Sequence, residues 1–390
     1  MHILLINSDI YEPFSYQMSG IFQLQLSNIL IDNNHRVGML SAGVLPFFYK
    51  GTLKAGMNVS VENNLHVVRN FFKPILPGRI ILEFSENLIL PKYIQAFKTY
   101  IENNGLPDLI HCQNSLFAGK AALSLRKKGF NIPIIITEHS SAYSRGLISA
   151  KNLKSTQFVI DKCDLFTTVS VSQKNFFKNL NIEVLNNQVD TFFENAELIP
   201  INELTDGMNF DFITVGLLDD NKNQIIILKA IENLINKYDK IRLHIVGDGP
   251  NFEKLVSFVN EKNLTNNIVF HGRLNRENLL ALMQKCVCLI VSSNVETFGV
   301  TALEALFLGR PCIATKCGGV EDFLNDSNSI LINRNNSSEL ALAIEHIYLN
   351  YHRYNSLTIR EDISKEFGTR AFYSRLSYFY DLTLKNFKRH

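Results

Sequence analysis

Glu296 and Glu304 stand eight positions apart and bracket Thr297-Phe298-Gly299-Val300-Thr301-Ala302-Leu303. Carboxylates are acceptors for hydroxyl groups, and between the two Gly299 lets a ligand come close to the backbone. A helix opening just after Gly299 would also offer free amides to a phosphate. Two further groups have matching chemistry. Lys222, in Val215-Gly216-Leu217-Leu218-Asp219-Asp220-Asn221-Lys222-Asn223, is a compact cation suited to phosphate oxygens. His139, in Ile136-Thr137-Glu138-His139-Ser140-Ser141, can titrate near neutral pH. Each has a plainer reading when taken alone: a solvated helix glutamate, a helix-start lysine, a structural histidine at a strand end. Taken from the residues alone, these plainer readings stand beside the chemical ones.

The elements that must position these residues are legible around them. Val287-Cys288-Leu289-Ile290-Val291 is an uninterrupted apolar run capped by Ser292-Ser293, the pattern of a buried parallel strand entering a loop. The stretch that follows is helical through Leu308, where Gly309 and Pro311 stop it. Glu296 therefore lies at the carboxyl end of a strand, where open α/β sheets bind ligands. In the first half, strands are expected at 2–7, 36–41, 65–70, 108–112, 133–138 and 165–169, with helices near 20–33, 80–103, 117–128 and 171–179. The pattern restarts at Phe210–Gly216, followed by strands near 241–246, 267–271, 287–291, 311–315 and 329–332. Strands alternating with helices indicate doubly wound parallel sheets, and 390 residues suffice for two such domains. Val246-Gly247-Asp248-Gly249-Pro250 and His271-Gly272-Arg273 are strand-to-helix turns of the kind that line ligand pockets or merely reverse the chain. Ser19-Gly20-Ile21-Phe22 opens the first helix, and Gly20 either eases helix entry or brings amides to a diphosphate.

The ordered motifs Ser-Ser-Asn-Val-Glu-Thr-Phe-Gly and Glu-Ala-Leu-Phe-Leu-Gly-Arg-Pro-Cys-Ile-Ala-Thr-Lys-Cys-Gly-Gly-Val-Glu-Asp closely resemble the signature of family 4 of the retaining nucleotide-sugar glycosyltransferases. The resemblance runs from residue 1 to about residue 370. It implies the α/β GT-B architecture, two Rossmann-like doubly wound parallel-sheet domains facing a central cleft. Residues 1–197 would form the acceptor-side domain and 198–370 the donor-binding domain, with a helix at about 371–390 crossing back to the first.

The resemblance also implies roles. His139, Lys222 and Glu296 become catalytic residues, with Glu296 holding sugar hydroxyls and Lys222 the donor diphosphate. Glu304 takes the ribose hydroxyls, and Gly20, Gly216, Gly247, Arg273, Thr297, Phe298, Gly299, Val300 and Thr301 line the donor site. The backbone at Arg273 would read the base edge. The implied donor is a UDP- or GDP-sugar, and no cofactor or metal is expected. Two departures stand out. Leu217 replaces an arginine that faces the diphosphate, which removes a charged hydrogen bond worth about 1.5–3 kcal/mol unless Arg273 or Lys316 supplies it. Gln113 replaces the second histidine of a His-x-His segment, so His111 receives no catalytic role.

Composition excludes several alternatives. A formal net charge of +2 offers nothing to nucleic acid. No G-x-G-x-x-G follows the first strand, which disfavours a dinucleotide dehydrogenase. The six cysteines show no CxxC pairing and indicate a reduced, cytosolic chain. Met1–Asn7 reads as a strand and not as a signal peptide, and no apolar run approaches the ~18 residues of a membrane span.

The first 195 residues carry 18 Lys and Arg against 14 Asp and Glu, a bias that favours an anionic surface near the first domain. The aromatic and basic segments 47–54 and 71–80, with Lys50, Lys54, Lys73 and Arg79, either dock at such a membrane surface or bury their aromatics in the core. Ser-Gly-Ile-Phe with Thr-Glu-His-Ser-Ser resembles transferases of bacterial surface polysaccharides, which implies a glycan acceptor on a polyprenyl diphosphate. It also implies a cytoplasmic chain, peripheral on the inner face of the membrane. Two rivals share the architecture: a nucleotide-sugar 2-epimerase, and a nucleotide-binding pseudoenzyme marked by Leu217.

Overall fold

The computed structural model describes residues 1–8, 21–45, 53–73, 80–178, 181–204 and 209–388. The chain divides into two compact units. The first comprises Met1–Val169, Lys174–Gln188 and Phe372–His390, and the second Ser170–Gln173 and Val189–Ala371.

The first unit is built on eight strands: β1 (His2–Asn7), β2 (Arg36–Val44), β3 (Gly56–Glu62), β4 (Leu65–Phe72), β5 (Leu109–Gln113), β6 (Ile134–Glu138), β7 (Leu165–Thr168) and β8 (Ile182–Val184). Their order is β3-β4-β2-β1-β5-β6-β7-β8. Alternate residues of β1 feed opposite cores, as a pleat of period two requires. Leu4 and Ile6 join the layer containing Tyr93, Phe97 and Ala121, whereas Ile3 and Leu5 join the layer containing Leu26, Leu376 and Phe379. Helices thus cover both faces, which is why the strands read as continuous apolar runs.

The sheet is parallel except at its edge. There β3 pairs antiparallel with β4 through a turn in which Asn63 and Asn64 both have positive φ, the geometry of a two-residue hairpin. The sequence pattern did not reveal β3, because Val59 and Val61 are exposed on an edge strand and only Met57 packs against the core. The helix Ala150–Lys162 was missed too, and its polar surface explains that: only Thr156, Val159 and Ile160 are buried.

The second unit has six strands, all parallel: β9 (Phe210–Val215), β10 (Ile241–Val246), β11 (Ile268–Gly272), β12 (Cys288–Val291), β13 (Cys312–Thr315) and β14 (Ser329–Ile332). Their order is β11-β10-β9-β12-β13-β14. The winding reverses between β9 and β12, so the crevice of this sheet lies there. Pairing between these two strands is short. Only Cys288 with Phe212 and Leu289 with Ile213 are in register, although β9 continues to Val215 and β12 to Val291. The strands separate before they end. All six cysteines are free. Among the described residues no helix is long and apolar enough to cross a membrane.

Candidate functional site

In the second unit the carboxyl ends of β9 and β10 are closed by backbone alone. Gly247 has φ 135°, and a Cβ placed on it would fall 1.8 Å from the carbonyl oxygen of Gly216. No side chain fits, so this shelf keeps an open floor. Beyond Gly216, the loop 217–223 folds across the switch point toward β12. The Asn294 amide donates to the Asn221 carbonyl at 2.7 Å, Asn221 Nδ2 to the Val295 carbonyl at 3.0 Å, and Ser292 Oγ to the Lys222 carbonyl at 2.7 Å.

This lacing delivers Lys222 to Glu296. Lys222 Nζ lies 2.5 Å from Glu296 Oε1, which also accepts from Ser293 Oγ at 2.6 Å. The backbone of Glu296 is fixed from the far side: its amide donates to the Cys317 carbonyl at 2.8 Å, and its carbonyl accepts from the Gly319 amide at 2.9 Å. Next comes Gly299, left-handed at φ 91° and ψ 53°, which starts the helix Val300–Phe307. A Cβ there would lie 2.3 Å from Val320 Cγ1, so the turn is reserved for glycine. Among the described residues the amides of Gly299, Val300 and Thr301 have no acceptor, and they sit at the positive end of that helix. The Phe298 side chain is buried against Phe323 and Phe367, so only its backbone can face a ligand.

The remaining residues of the second unit fall less simply. Glu304 is 2% exposed, and its Oε1 accepts from Arg276 Nη2 at 2.8 Å. Burial raises its pKa, and the Arg276 charge opposes that rise. The same guanidinium reaches Asp190 Oδ2 at 2.7 Å and lies 4.5 Å from the Phe193 ring centroid. Glu304 is thus engaged by a protein cation that sequence reasoning did not select. The one local signal for Arg276 is its place directly after the helix cap Asn275. Arg273 is exposed and turned to Asp248 at 3.7 Å. Leu217 is 50% exposed, with its carbonyl bound by Gln224 Nε2 at 3.0 Å.

In the first unit, His139 follows the end of β6. The buried Glu138 carboxylate holds its surroundings, with Oε2 accepting from the amide and hydroxyl of Ser115 and Oε1 from the Ser140 amide. His139 Nδ1 is 3.0 Å from Asn187 Oδ1, and Nε2 is 2.7 Å from the side-chain amide of Gln113. The ring stacks on Phe22 with centroids 6.4 Å apart. Burial pushes its pKa down to about 4, partly offset by the bond to Asn187, so the ring is neutral at pH 7. A neutral imidazole has one donor and one acceptor. Asn187 Oδ1 faces Nδ1 and Gln113 Oε1 faces Nε2, so a neutral ring donates to one of the two. A turned Gln113 amide, whose nitrogen has no partner among the described residues, would serve the other. Gln113 is therefore part of this constellation, despite standing where the resemblance left no role. His111 is buried between Tyr380 and Thr137, at 3.0 and 2.8 Å, and its role is structural. Gly20, Lys50 and Arg79 lie outside the described residues, and Lys54 and Lys73 are exposed.

The chain is similar to known glycosyltransferases. Residues 22–192 match the family model described as Glycosyltransferase Family 4, and residues 176–362 match that of Glycosyl transferases group 1. An uncharacterized glycosyltransferase of Methanocaldococcus jannaschii is 29% identical over 294 residues, spanning 72% of this chain and 78% of its own. Lipopolysaccharide 1,6-galactosyltransferase of Escherichia coli K12 is 26% identical over 232 residues, spanning 58% of this chain and 60% of its own. Among solved structures, Anabaena HepE in complex with UDP superposes with a TM-score of 0.72 at 19% identity, covering 98% of this chain and 100% of that one.

Proposed function

The chain belongs to glycosyltransferase family 4, and from that premise we propose that it moves a hexosyl group from a UDP- or GDP-sugar to a glycan acceptor with retention at the anomeric carbon. The observation that carries this reading is the Lys222–Glu296 pair at the switch point, beside the unpaired amides of Gly299, Val300 and Thr301. In this reading the donor sugar lies at Glu296, whose carboxylate accepts from sugar hydroxyls. The departing diphosphate meets Lys222 and the helix-start amides, so its growing charge is held by preorganised donors and a dipole, without a metal. The bond from the anomeric carbon to the diphosphate oxygen breaks as the acceptor oxygen bonds to the same face. A diphosphate oxygen takes the acceptor's proton. His139, neutral and fixed by Asn187 and Gln113, would be a hydrogen-bonding wall for the donor sugar and not a base. Glu304 would bind ribose hydroxyls through whatever capacity Arg276 leaves it.

The uridine donor is supported by the UDP complex of HepE. A bacterial surface glycan as acceptor is supported by the likeness to the E. coli lipopolysaccharide galactosyltransferase, and its carrier in this reading is a polyprenyl diphosphate. Peripheral attachment at the cytoplasmic face is supported by exposed Lys54 and Lys73. It is supported also by a groove of about 670 Å³ in the first unit, where Lys120, Lys127, Lys151 and Lys154 surround Leu123 and Phe158. The deciding experiment is incubation with UDP-, GDP- and ADP-sugars in buffer containing EDTA, followed by NMR of the products. Slow hydrolysis to a sugar of unchanged anomeric configuration supports the transferase. Release of an epimerised sugar identifies a 2-epimerase, and nucleotide binding without turnover under any acceptor identifies a pseudoenzyme.

A further inference from the structure

A nucleoside diphosphate brings more negative charge than Lys222 can balance, because Glu296 already lies against that lysine at 2.5 Å. Leu217 contributes no charge, and Arg273 is turned to Asp248. The second unit holds another cation close by. Arg334 lies in the loop after β14, and its Nε donates to the Lys316 carbonyl at 2.5 Å. The Lys316 amide in turn donates to the Ile332 carbonyl at 2.9 Å, so the loops after β13 and β14 are tied together. The residues that follow Lys316 are the ones that hold Glu296: Cys317 accepts its amide, and Gly318 pairs with it in a parallel bridge. On the other flank, Asn223 Nδ2 donates to Asn335 Oδ1 at 2.8 Å. The neighbour of Lys222 therefore touches the neighbour of Arg334.

The buried Cys317 thiol lies in the field of the same groups. Burial, with the Glu296 charge adding, pushes it up to about 12, and Lys222 and Arg334 both act on it as opposing cations. Arg334 is exposed, and its two terminal nitrogens have no hydrogen-bond partner among the described residues. Its planar fork matches phosphate oxygens better than a second lysine would.

The geometry points to Arg334 as the second cation of the diphosphate site, making the charged contact that Leu217 cannot. The inference rests on the nucleotide-sugar reading above and names the residue that completes its phosphate recognition. Calorimetric titration of the full chain with UDP, GDP, UMP and GMP tests it. Arg334→Gln should weaken the preferred diphosphate roughly tenfold or more while leaving the matching monophosphate nearly unchanged, as expected for one charged hydrogen bond to the outer phosphate. Arg334→Lys should retain part of the affinity, and adding Leu217→Arg to Arg334→Gln should restore it. An unchanged diphosphate affinity in Arg334→Gln overturns the inference. So does a parallel loss for both nucleotides, which would mean that the side chain only supports its loop. Lack of binding by the unaltered protein to all four nucleotides would refute the donor reading itself, a result distinct from either.

Discussion

Lys222 and Glu296 are 74 residues apart in the chain and 2.5 Å apart in space, each lying just past one of the two strands that flank the switch point of the second sheet. Loop 217–223 is pinned to the segment after β12 by backbone and side-chain hydrogen bonds, which set the position of the pair. Lys222→Ala and Glu296→Ala should each lower donor turnover by about 10²-fold or more, the scale of losing a preorganised charge stabiliser. Their melting temperatures should stay near that of the unaltered protein, since neither side chain is fully buried. Full donor hydrolysis in both variants would remove the assignment.

Gly299→Ala is expected to unfold the helix start locally. A left-handed residue other than glycine costs roughly 1–2 kcal/mol, and here the new methyl also meets Val320 Cγ1. Urea denaturation should show a lower midpoint, and nucleotide affinity should fall with it. Adding Val320→Ala should recover part of both. If the second change recovers nothing, the clash is not the cause.

Arg276→Met should destabilise the second unit by about 3–5 kcal/mol, because it leaves the Glu304 carboxylate buried without its partner. The double variant Arg276→Met/Glu304→Gln should be more stable than Arg276→Met alone. A melting temperature for Arg276→Met equal to that of the unaltered protein would show that the pair carries no structural load.

Acid should destabilise the first unit through its two buried imidazoles. Burial lowers His139 to about 4 and His111 to about 3, from an ordinary value of 6.5. Below pH 6.5 the unfolded chain binds protons that the folded chain refuses, so stability is complete above pH 6.5 and is lost as pH falls toward 4 and then 3. His111→Gln should flatten part of this slope in melts recorded between pH 7 and pH 4. An identical slope would place the acid sensitivity elsewhere.

Sedimentation with anionic vesicles should depend on salt. Each lysine or arginine near such a surface contributes roughly 1 kcal/mol, and the attraction is screened as ionic strength rises. Exchanging Lys50, Lys54, Lys73 and Arg79 for glutamine should reduce attachment at low salt. Equal attachment by both proteins would rule out these four residues as the docking surface, and no attachment at low salt would rule out docking altogether.

The sequence made the strand and helix alternation legible wherever a strand was buried on both faces, as in β1 and β12, because such strands are unbroken apolar runs. It concealed β3, whose valines are exposed, and the helix Ala150–Lys162, whose buried residues are few. At the site, glycines and charges at strand ends were visible since their spacing relative to apolar runs is local. Arg276, Arg334 and Gln113 were not, because each acts on a residue brought near only by the sheet order. Glu304 shows the same limit: its position on the helix was readable, and its burial under Arg276 was not.

The two-residue register between β9 and β12 makes this junction the thinnest joint of the second sheet. Three strands on either side are sewn by longer ladders, and the bonds that cross between the halves include the two rungs, the Asn221 and Ser292 bonds, and the Lys222–Glu296 contact. A ligand that draws Lys222 from Glu296 therefore loosens a fastener of the sheet as it binds. Amide exchange at Phe212, Ile213, Cys288 and Leu289 should respond to nucleotide although none of these residues touches it, so the seam doubles as a strain gauge for occupancy.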